Sequence, residues 1–154
     1  MKLNTQALSQ VTIGTPVLQP GPYFVKIRSA VIKAQKGPKT GQNLNLTLAI
    51  IEGSVTGYDQ KTYKNNGEMA FFDTVSLAMT DIYDPNKRLK EISEAVGNVG
   101  DDLDSDTLVG KFVKVQVKYS PASTGKDGTP YNEKNIIGRY QLIVPADNFN
   151  TPIN

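Results

Sequence analysis

The stretch GPYFVKIRSAVIKAQKGPKTGQNLNLTLAI, residues 21–50, contains two segments in which apolar and polar side chains alternate. Val25 and Ile27 mark the apolar side of the first segment, and every second position from 44 to 50 is aliphatic in the second. A period of two is typical of a half-buried β-strand. The intervening KGPKTGQ, residues 36–42, predicts a turn, so the two segments should pair as a hairpin. The phase changes at Ser29 and Ala30, which predicts a β-bulge.

Three further alternating segments and one helical segment follow. The strands are predicted in MAFFDTVSLAM (69–79), KFVKVQVKY (111–119) and YNEKNIIGRYQLIV (131–144). Before the fourth strand, residues 84–97 predict a helix with Asp84 as its N-cap, Pro85 in its first turn and Gly97 as its terminator. Residues 53–68 are interpreted as a long polar loop.

Five antiparallel strands with a helix between the third and the fourth is the order of the OB-fold, a five-stranded, partly open Greek-key barrel. We therefore predict a mainly β protein of this class. Its divisions would be an N-terminal arm (1–20), the OB-fold domain (21–145) and a C-terminal extension (146–154). In this architecture the loops KGPKTGQ and SPASTGKDGTPY would flank the binding face.

Composition removes most enzyme mechanisms. The 154 residues suit one domain and contain no Cys and no His, which excludes disulfides, thiol nucleophiles, ordinary zinc sites and the usual general base. Asp102, Asp104 and Asp106 resemble the opening of a calcium loop, but Thr107 replaces its glycine and Val113 its final glutamate. A capping role is predicted for these aspartates instead. We expect no catalysis, no cofactor and no metal.

No apolar run approaches the roughly 20 residues that a membrane helix needs. The first ten residues, MKLNTQALSQ, lack the apolar core of a secretory signal. The sequence thus predicts no membrane partner and a cytoplasmic location, in the host cell if the protein is viral.

Charge is strongly segregated along the chain. Residues 1–51 carry six basic and no acidic side chains, residues 81–106 carry eight acidic and three basic ones, and residues 107–154 carry six basic and three acidic ones. If the fold brings the two basic blocks together, they form one electropositive surface. Such a surface suits a polyanion.

Single-stranded nucleic acid is bound by cations spaced along a groove and by exposed rings on which bases stack. Each cation alone would be an ordinary surface residue, so the prediction depends on their clustering. Tyr23, Phe71 and Tyr140 are predicted to lie in the core. The predicted nucleic-acid-binding residues are Lys26, Arg28, Lys33, Lys36, Lys39, Tyr58, Lys61, Tyr63, Phe72, Lys114, Lys118, Lys126, Tyr131, Lys134 and Arg139.

Three features of the sequence are shared with a known family. They are the strand pattern, the helix LKEISEAVG, and the segment TLVGKFVKVQVKY, in which Gly-Lys precedes an alternating Lys/Val strand. Over residues 20 to 145 the chain resembles bacteriophage single-stranded DNA-binding proteins of the OB-fold type. The resemblance implies a protein that coats and protects transient single strands in replication, recombination or repair, with little sequence preference. It also implies phage or host replication and recombination proteins as partners, and homo-oligomerisation stays open. The alternative is a non-catalytic structural or protein-interaction barrel of a virion or phage assembly.

Overall fold

The computed structural model describes residues 15–35, 41–98 and 103–144. Within them the chain forms strands and two helices, in the order β1 (Gly21–Ala34), β2 (Gln42–Ile50), β3 (Ser54–Thr56), β4 (Thr62–Lys64), β5 (Ala70–Ser76), α1 (Pro85–Ala95), α2 (Ser105–Leu108), β6 (Phe112–Ser120), β7 (Ser123–Thr124), β8 (Pro130–Tyr131) and β9 (Lys134–Gln141).

The predicted mainly β architecture is confirmed. Five strands form one antiparallel sheet in the order β5-β2-β1-β6-β9. The predicted hairpin is the β1–β2 pair, and its register shifts between Ile27 and Ser29, where the bulge was expected. The sheet order also makes the two lysine-bearing strands β1 and β6 neighbours.

One face of this sheet forms the core. The predicted aliphatic positions of β2 and β6 are buried and alternate with more exposed residues, and the same holds in β1 for Val25 and Ile27, before the bulge. Phe71 and Tyr140 are buried as expected, whereas Tyr23 is only partly buried and contacts the Phe71 ring edge-on, with 5.2 Å between ring centroids. The side chains on the opposite face of the sheet are more exposed.

Helix α1 has the predicted ends. The Asp84 side chain accepts a hydrogen bond from the Asn86 N–H, and Pro85 follows at the first helical position. Gly97 adopts a positive φ of 73°, the left-handed conformation that commonly terminates a helix. Asp104 likewise caps the short helix α2 by accepting from the Asp106 N–H.

Helix α1 is attached to β9. Ile92 and Ala95 are buried in the core, and the Arg88 guanidinium donates to the carbonyl oxygens of Ile137 (2.7 Å) and Gly138 (3.2 Å). Glu91 pairs with Arg88 at 3.1 Å and also accepts a hydrogen bond from the backbone of β9. The face of α1 that bears these residues is thus packed against β9 and the core.

The interpretation of residues 53–68 as a loop was wrong, because they contain the hairpin β3–β4. Each of these strands has three residues and one apolar side chain, Val55 or Tyr63, so no period is visible in the sequence. Asn65, 4% exposed, fixes the chain after the hairpin by donating to the carbonyl oxygens of Ile50 and Glu52. The turn SPASTGKDGTPY similarly contains the small hairpin β7–β8.

Part of the predicted N-terminal arm belongs to the packed domain. Leu18 is completely buried, and its backbone N–H and C=O both bond the Asn135 side chain, at 2.7 and 2.9 Å. The Ala70 N–H donates to Thr15 Oγ1 at 2.8 Å. The sequence did not predict the burial of Leu18, because a single buried residue in a polar stretch produces no periodic pattern. Residues 1–14 of the arm and 145–154, which include the predicted C-terminal extension, lie outside the described residues.

A partly buried hydrogen bond joins the outermost strands β5 and β9. The Tyr140 hydroxyl donates to Asp73 Oδ2 at 2.6 Å, and the Tyr140 side chain is 3% exposed. Burial and the neighbouring carboxylate of Asp73 raise the pKa of Tyr140 far above its ordinary value. The hydroxyl therefore stays protonated and keeps its role as donor.

Replacing Tyr140 by Phe should lower the free energy of unfolding by about 1 to 2 kcal/mol, because it removes a donor to a charged acceptor. Chemical denaturation of both proteins measures the difference. Tyr131→Phe, at an exposed position, is the control and should leave stability unchanged. Equal stability of Tyr140→Phe and wild type would show that this bond does not hold the two strands together.

Candidate nucleic-acid interface

Rings and cations alternate on the outer face of β1 and β6, opposite the core. Lys26 of β1 lies opposite Phe112 of β6, and Phe24 lies opposite Lys114. The Lys26 ammonium is 5.8 Å from the centroid of the Phe112 ring, within range of a cation–π interaction. The two predicted lysines thus lie between two phenyl rings.

The bulge in β1 positions Arg28 beside this pair. Its exposed side chain donates to the Gly67 carbonyl oxygen at 3.2 Å. Arg28 and Lys26 line a cleft of about 330 Å³ with Ala49, Gly67 and Phe112 among its other walls. The cleft combines two cations with the edge of an aromatic ring.

Phe72 is the most exposed ring on this face. It lies in the middle of β5 and is 74% exposed, although its neighbour Phe71 is buried. Phe72 is opposite Thr47 of β2, and Thr47 is opposite Ser29 of β1. With strands about 4.8 Å apart, the Phe72 backbone is about 10 Å from β1 across this floor of small side chains.

Phe72 also borders a second depression, of about 360 Å³, on the far side of β5. Lys134 lines this depression together with Thr15, Asn135 and Glu133, whose carboxylate accepts a hydrogen bond from the Tyr119 hydroxyl. Aromatic rings and cations therefore follow one another from this depression across β5, β2 and β1 to β6. We call this set the outer-face band, and it consists of Lys134, Phe72, Arg28, Lys26 and Phe112.

Three more predicted cations share this face of the sheet outside the band. Lys33 lies opposite Asn43 near the far end of β1, and Lys114 lies opposite Phe24. The Lys118 side chain runs across Gly138, where an added Cβ would be 2.8 Å from Lys118 Cε. Their positive charge extends the field of the band along β1 and β6.

Other predicted residues are placed elsewhere. Tyr131 lies in β8 of the small β7–β8 hairpin, Lys126 lies in the turn that precedes it, and the Tyr131 ring lies against Gly125. Arg139 borders a depression with Glu91 and Glu94 of α1, away from the band. Lys36 and Lys39 lie outside the described residues.

The prediction of freely accessible rings in residues 53–68 needs correction. The Tyr58 ring stacks on Tyr119, with centroids 3.7 Å apart and planes at 8°, so one of its faces is covered. Tyr63 packs against the core, and its hydroxyl donates to Asp59 Oδ2 at 2.5 Å. This bond lowers the pKa of Asp59 and raises the pKa of Tyr63. Lys61 is exposed in the same hairpin. These residues do not join the band.

Residues 4–142 match the family described as "Protein of unknown function (DUF669)". The chain belongs to this family. The DUF669 match includes every strand of the sheet and the whole outer-face band. No curated protein matches the chain.

Within the described ranges of this DUF669 protein, no helix is long and apolar enough to cross a membrane. In the same ranges, no group of three or more acidic side chains is placed to hold a metal ion.

Four contributors to the candidate interface of this DUF669 protein were not among the predicted site residues. Phe24 and Phe112 form the alternating surface of β1 and β6, while Thr47 and Ala49 form the floor between Phe72 and the cations. The rings carry a sequence signal, since each alternates with lysines along its strand. The floor residues carry none, because their position depends on the pairing register.

Glu52 is a partly buried residue whose carboxylate bonds the backbone of β1 at Phe24. Its Oε1 accepts from the Phe24 N–H at 2.8 Å, whereas Oε2 is buried and has no hydrogen-bond partner in the described part of the chain. Burial raises the pKa of Glu52 above its ordinary value, and the hydrogen bond from Phe24 opposes part of that rise. The protonated form is therefore favoured on folding.

Because the folded protein holds this proton more tightly than the unfolded chain, stability should fall as pH rises from the ordinary pKa of 4.5 through the raised value. Melting temperatures measured in steps from pH 4 to pH 8 would show the decline. The Glu52→Gln variant should lose it and melt at a more constant temperature. Parallel curves for the two proteins would contradict a titration of Glu52.

Proposed function

We propose that this chain is a single-stranded DNA-binding protein and that the outer-face band is its interface. The observation that carries the proposal is the 74% exposed ring of Phe72 in the middle of a paired strand, where a phenyl ring is ordinarily turned to the core. Cations lie on both sides of that ring, Lys134 on one side and Arg28 on the other.

This arrangement supplies the two interactions that single strands need. A base can stack on Phe72 with its π-face, for which every base is competent. Lys134 on one side of the ring and Lys26 and Arg28 on the other would neutralise phosphates before and after that base. The floor at Thr47 and Ala49 carries only small side chains, which leaves room for a chain of nucleotides across the sheet.

The same features support low sequence preference. Contacts of Lys and Arg with phosphates position a strand without reading it, and ring stacking tolerates all bases. Duplex DNA has no unstacked base to offer Phe72, so it should bind through charge alone.

We also propose that the five-stranded sheet is an OB-fold. The sheet order and the position of α1 between β5 and β6 in the chain support this proposal, as does the Asp73–Tyr140 bond between the outermost strands. On this basis the protein would coat transient single strands in phage replication, recombination or repair, as the resemblance implies.

Titration of a fluorescently labelled oligonucleotide with the protein tests the function. Binding should be tight at low salt and should weaken steeply as salt rises, and unlabelled duplex should be a poor competitor for the labelled single strand. Strong preference for one oligonucleotide sequence would contradict a phosphate and stacking interface. No binding at low salt would favour the structural or protein-interaction module instead.

A further inference from the structure

The second half of β1 has a free edge. Lys26 is the last β1 residue that pairs with β6, and the Ile27 backbone then bonds Gly110 and Lys111. Pairing with β2 on the other side continues to Ala34. Among the described residues, the run from Ser29 to Ala34 is therefore hydrogen-bonded to a neighbouring strand on one side only.

The backbone groups that face this edge follow from the hairpin. The Gln35 N–H donates to the Gly41 carbonyl oxygen, so Gln35 points toward β2. Because the direction alternates along a strand, Ala30, Ile32 and Ala34 point their N–H and C=O groups to the free edge. An exposed edge of this kind is a template for pairing with another chain.

The side chains along the edge are largely apolar. Val31 is 44% and Ile32 is 46% exposed, and Lys33 is the single charged residue between Ser29 and Ala34. This apolar exposure coincides with unpaired backbone groups, which argues for an extended partner rather than for solvent.

We propose that a second copy of this chain pairs antiparallel along the free edge, in a register centred on Ile32. The three edge-facing residues read Ala-Ile-Ala, which is symmetric about its centre. A twofold axis at Ile32 places Ala30 opposite Ala34 of the second copy and Ile32 opposite Ile32 of the second copy. All edge-facing N–H and C=O groups of both copies are then paired.

This register also suits the side chains. The two Ile32 side chains contact each other on one face, and Val31 lies opposite Lys33 of the second copy on the other, so no like charges face each other directly. A register centred on Val31 leaves Ala34 opposite the bulged Arg28 of the second copy and keeps two bonded pairs instead of three. The chain is thus self-complementary in one particular alignment.

Sedimentation equilibrium of the whole protein without nucleic acid tests the interface independently of DNA binding. Wild type should shift from monomer to dimer as concentration rises. Ile32→Lys places two cations at the twofold axis and should raise the dimer dissociation constant at least tenfold. Ile136→Lys, the matched control on β9 at 40% exposure, should dimerise like wild type.

A cysteine scan tests the register. The protein has no cysteine, and directly opposed bonded residues have Cα atoms about 5.5 Å apart, which a disulfide can bridge. Mild oxidation should link Ile32→Cys into a covalent dimer and leave Ile136→Cys monomeric. Monomeric wild type at all concentrations, or equal cross-linking of both variants, overturns the proposal.

Discussion

Replacing Phe72 by Leu should weaken the binding of single-stranded DNA by about 1 to 3 kcal/mol, the value of one base stacked on an aromatic ring. The ring is 74% exposed, so its removal should leave the melting temperature almost unchanged. The dependence of affinity on salt should also stay the same, because no phosphate contact is lost. Fluorescence anisotropy with one labelled oligonucleotide at three salt concentrations measures both quantities.

The matched control is Tyr131→Leu, which removes another exposed ring from the small β7–β8 hairpin, outside the band. It should bind DNA as wild type does. A large loss in Tyr131→Leu together with full affinity in Phe72→Leu would move the stacking site to that hairpin.

Reversing charge at the cleft, by Lys26→Glu together with Arg28→Glu, should reduce affinity by more than tenfold at low salt. Two phosphate contacts are lost, so the slope of log affinity against log salt should become shallower by about 0.7 for each. Both side chains are exposed, and folding should survive, as the melting curve would show.

Lys87→Glu together with Lys90→Glu makes the same charge change on the exposed face of α1. Since that surface lies beside Arg139 and away from the band, affinity should change only slightly through the net charge. Equal losses in the two double variants would show that binding follows overall charge and not the cleft. Glu91 is unsuitable for such a control because it bonds Arg88 and β9.

Local patterns made much of the fold predictable. The alternation in residues 44–50 and the phase change at Ser29 depend on neighbouring residues alone, and both have their counterparts in β2 and in the bulge of β1. The ends of α1 were predictable for the same reason, because Asp84 and Gly97 each cap the turn of helix next to them in the sequence. Such features need no knowledge of distant contacts.

The rest depended on pairings that no local pattern records. Leu18 packs into the hydrophobic core, and its backbone bonds the side chain of Asn135, far along the chain. One face of the Tyr58 ring is covered by Tyr119, which is also distant in the sequence. The outer-face band depends on the pairing register, which sets Phe72 opposite Thr47. The clustering of charge in the sequence predicted a basic surface, but it could not predict which side chains lie next to each other on it.

Mapping of backbone amide chemical shifts on addition of a short single-stranded oligonucleotide tests the interface most directly. The account predicts the largest changes in residues 26–28, 47–49, 70–72 and 112, which the sheet brings into neighbouring rows, and small changes in α1. Large changes confined to α1 or to the β7–β8 hairpin, with β1, β2 and β5 unaffected, would contradict it.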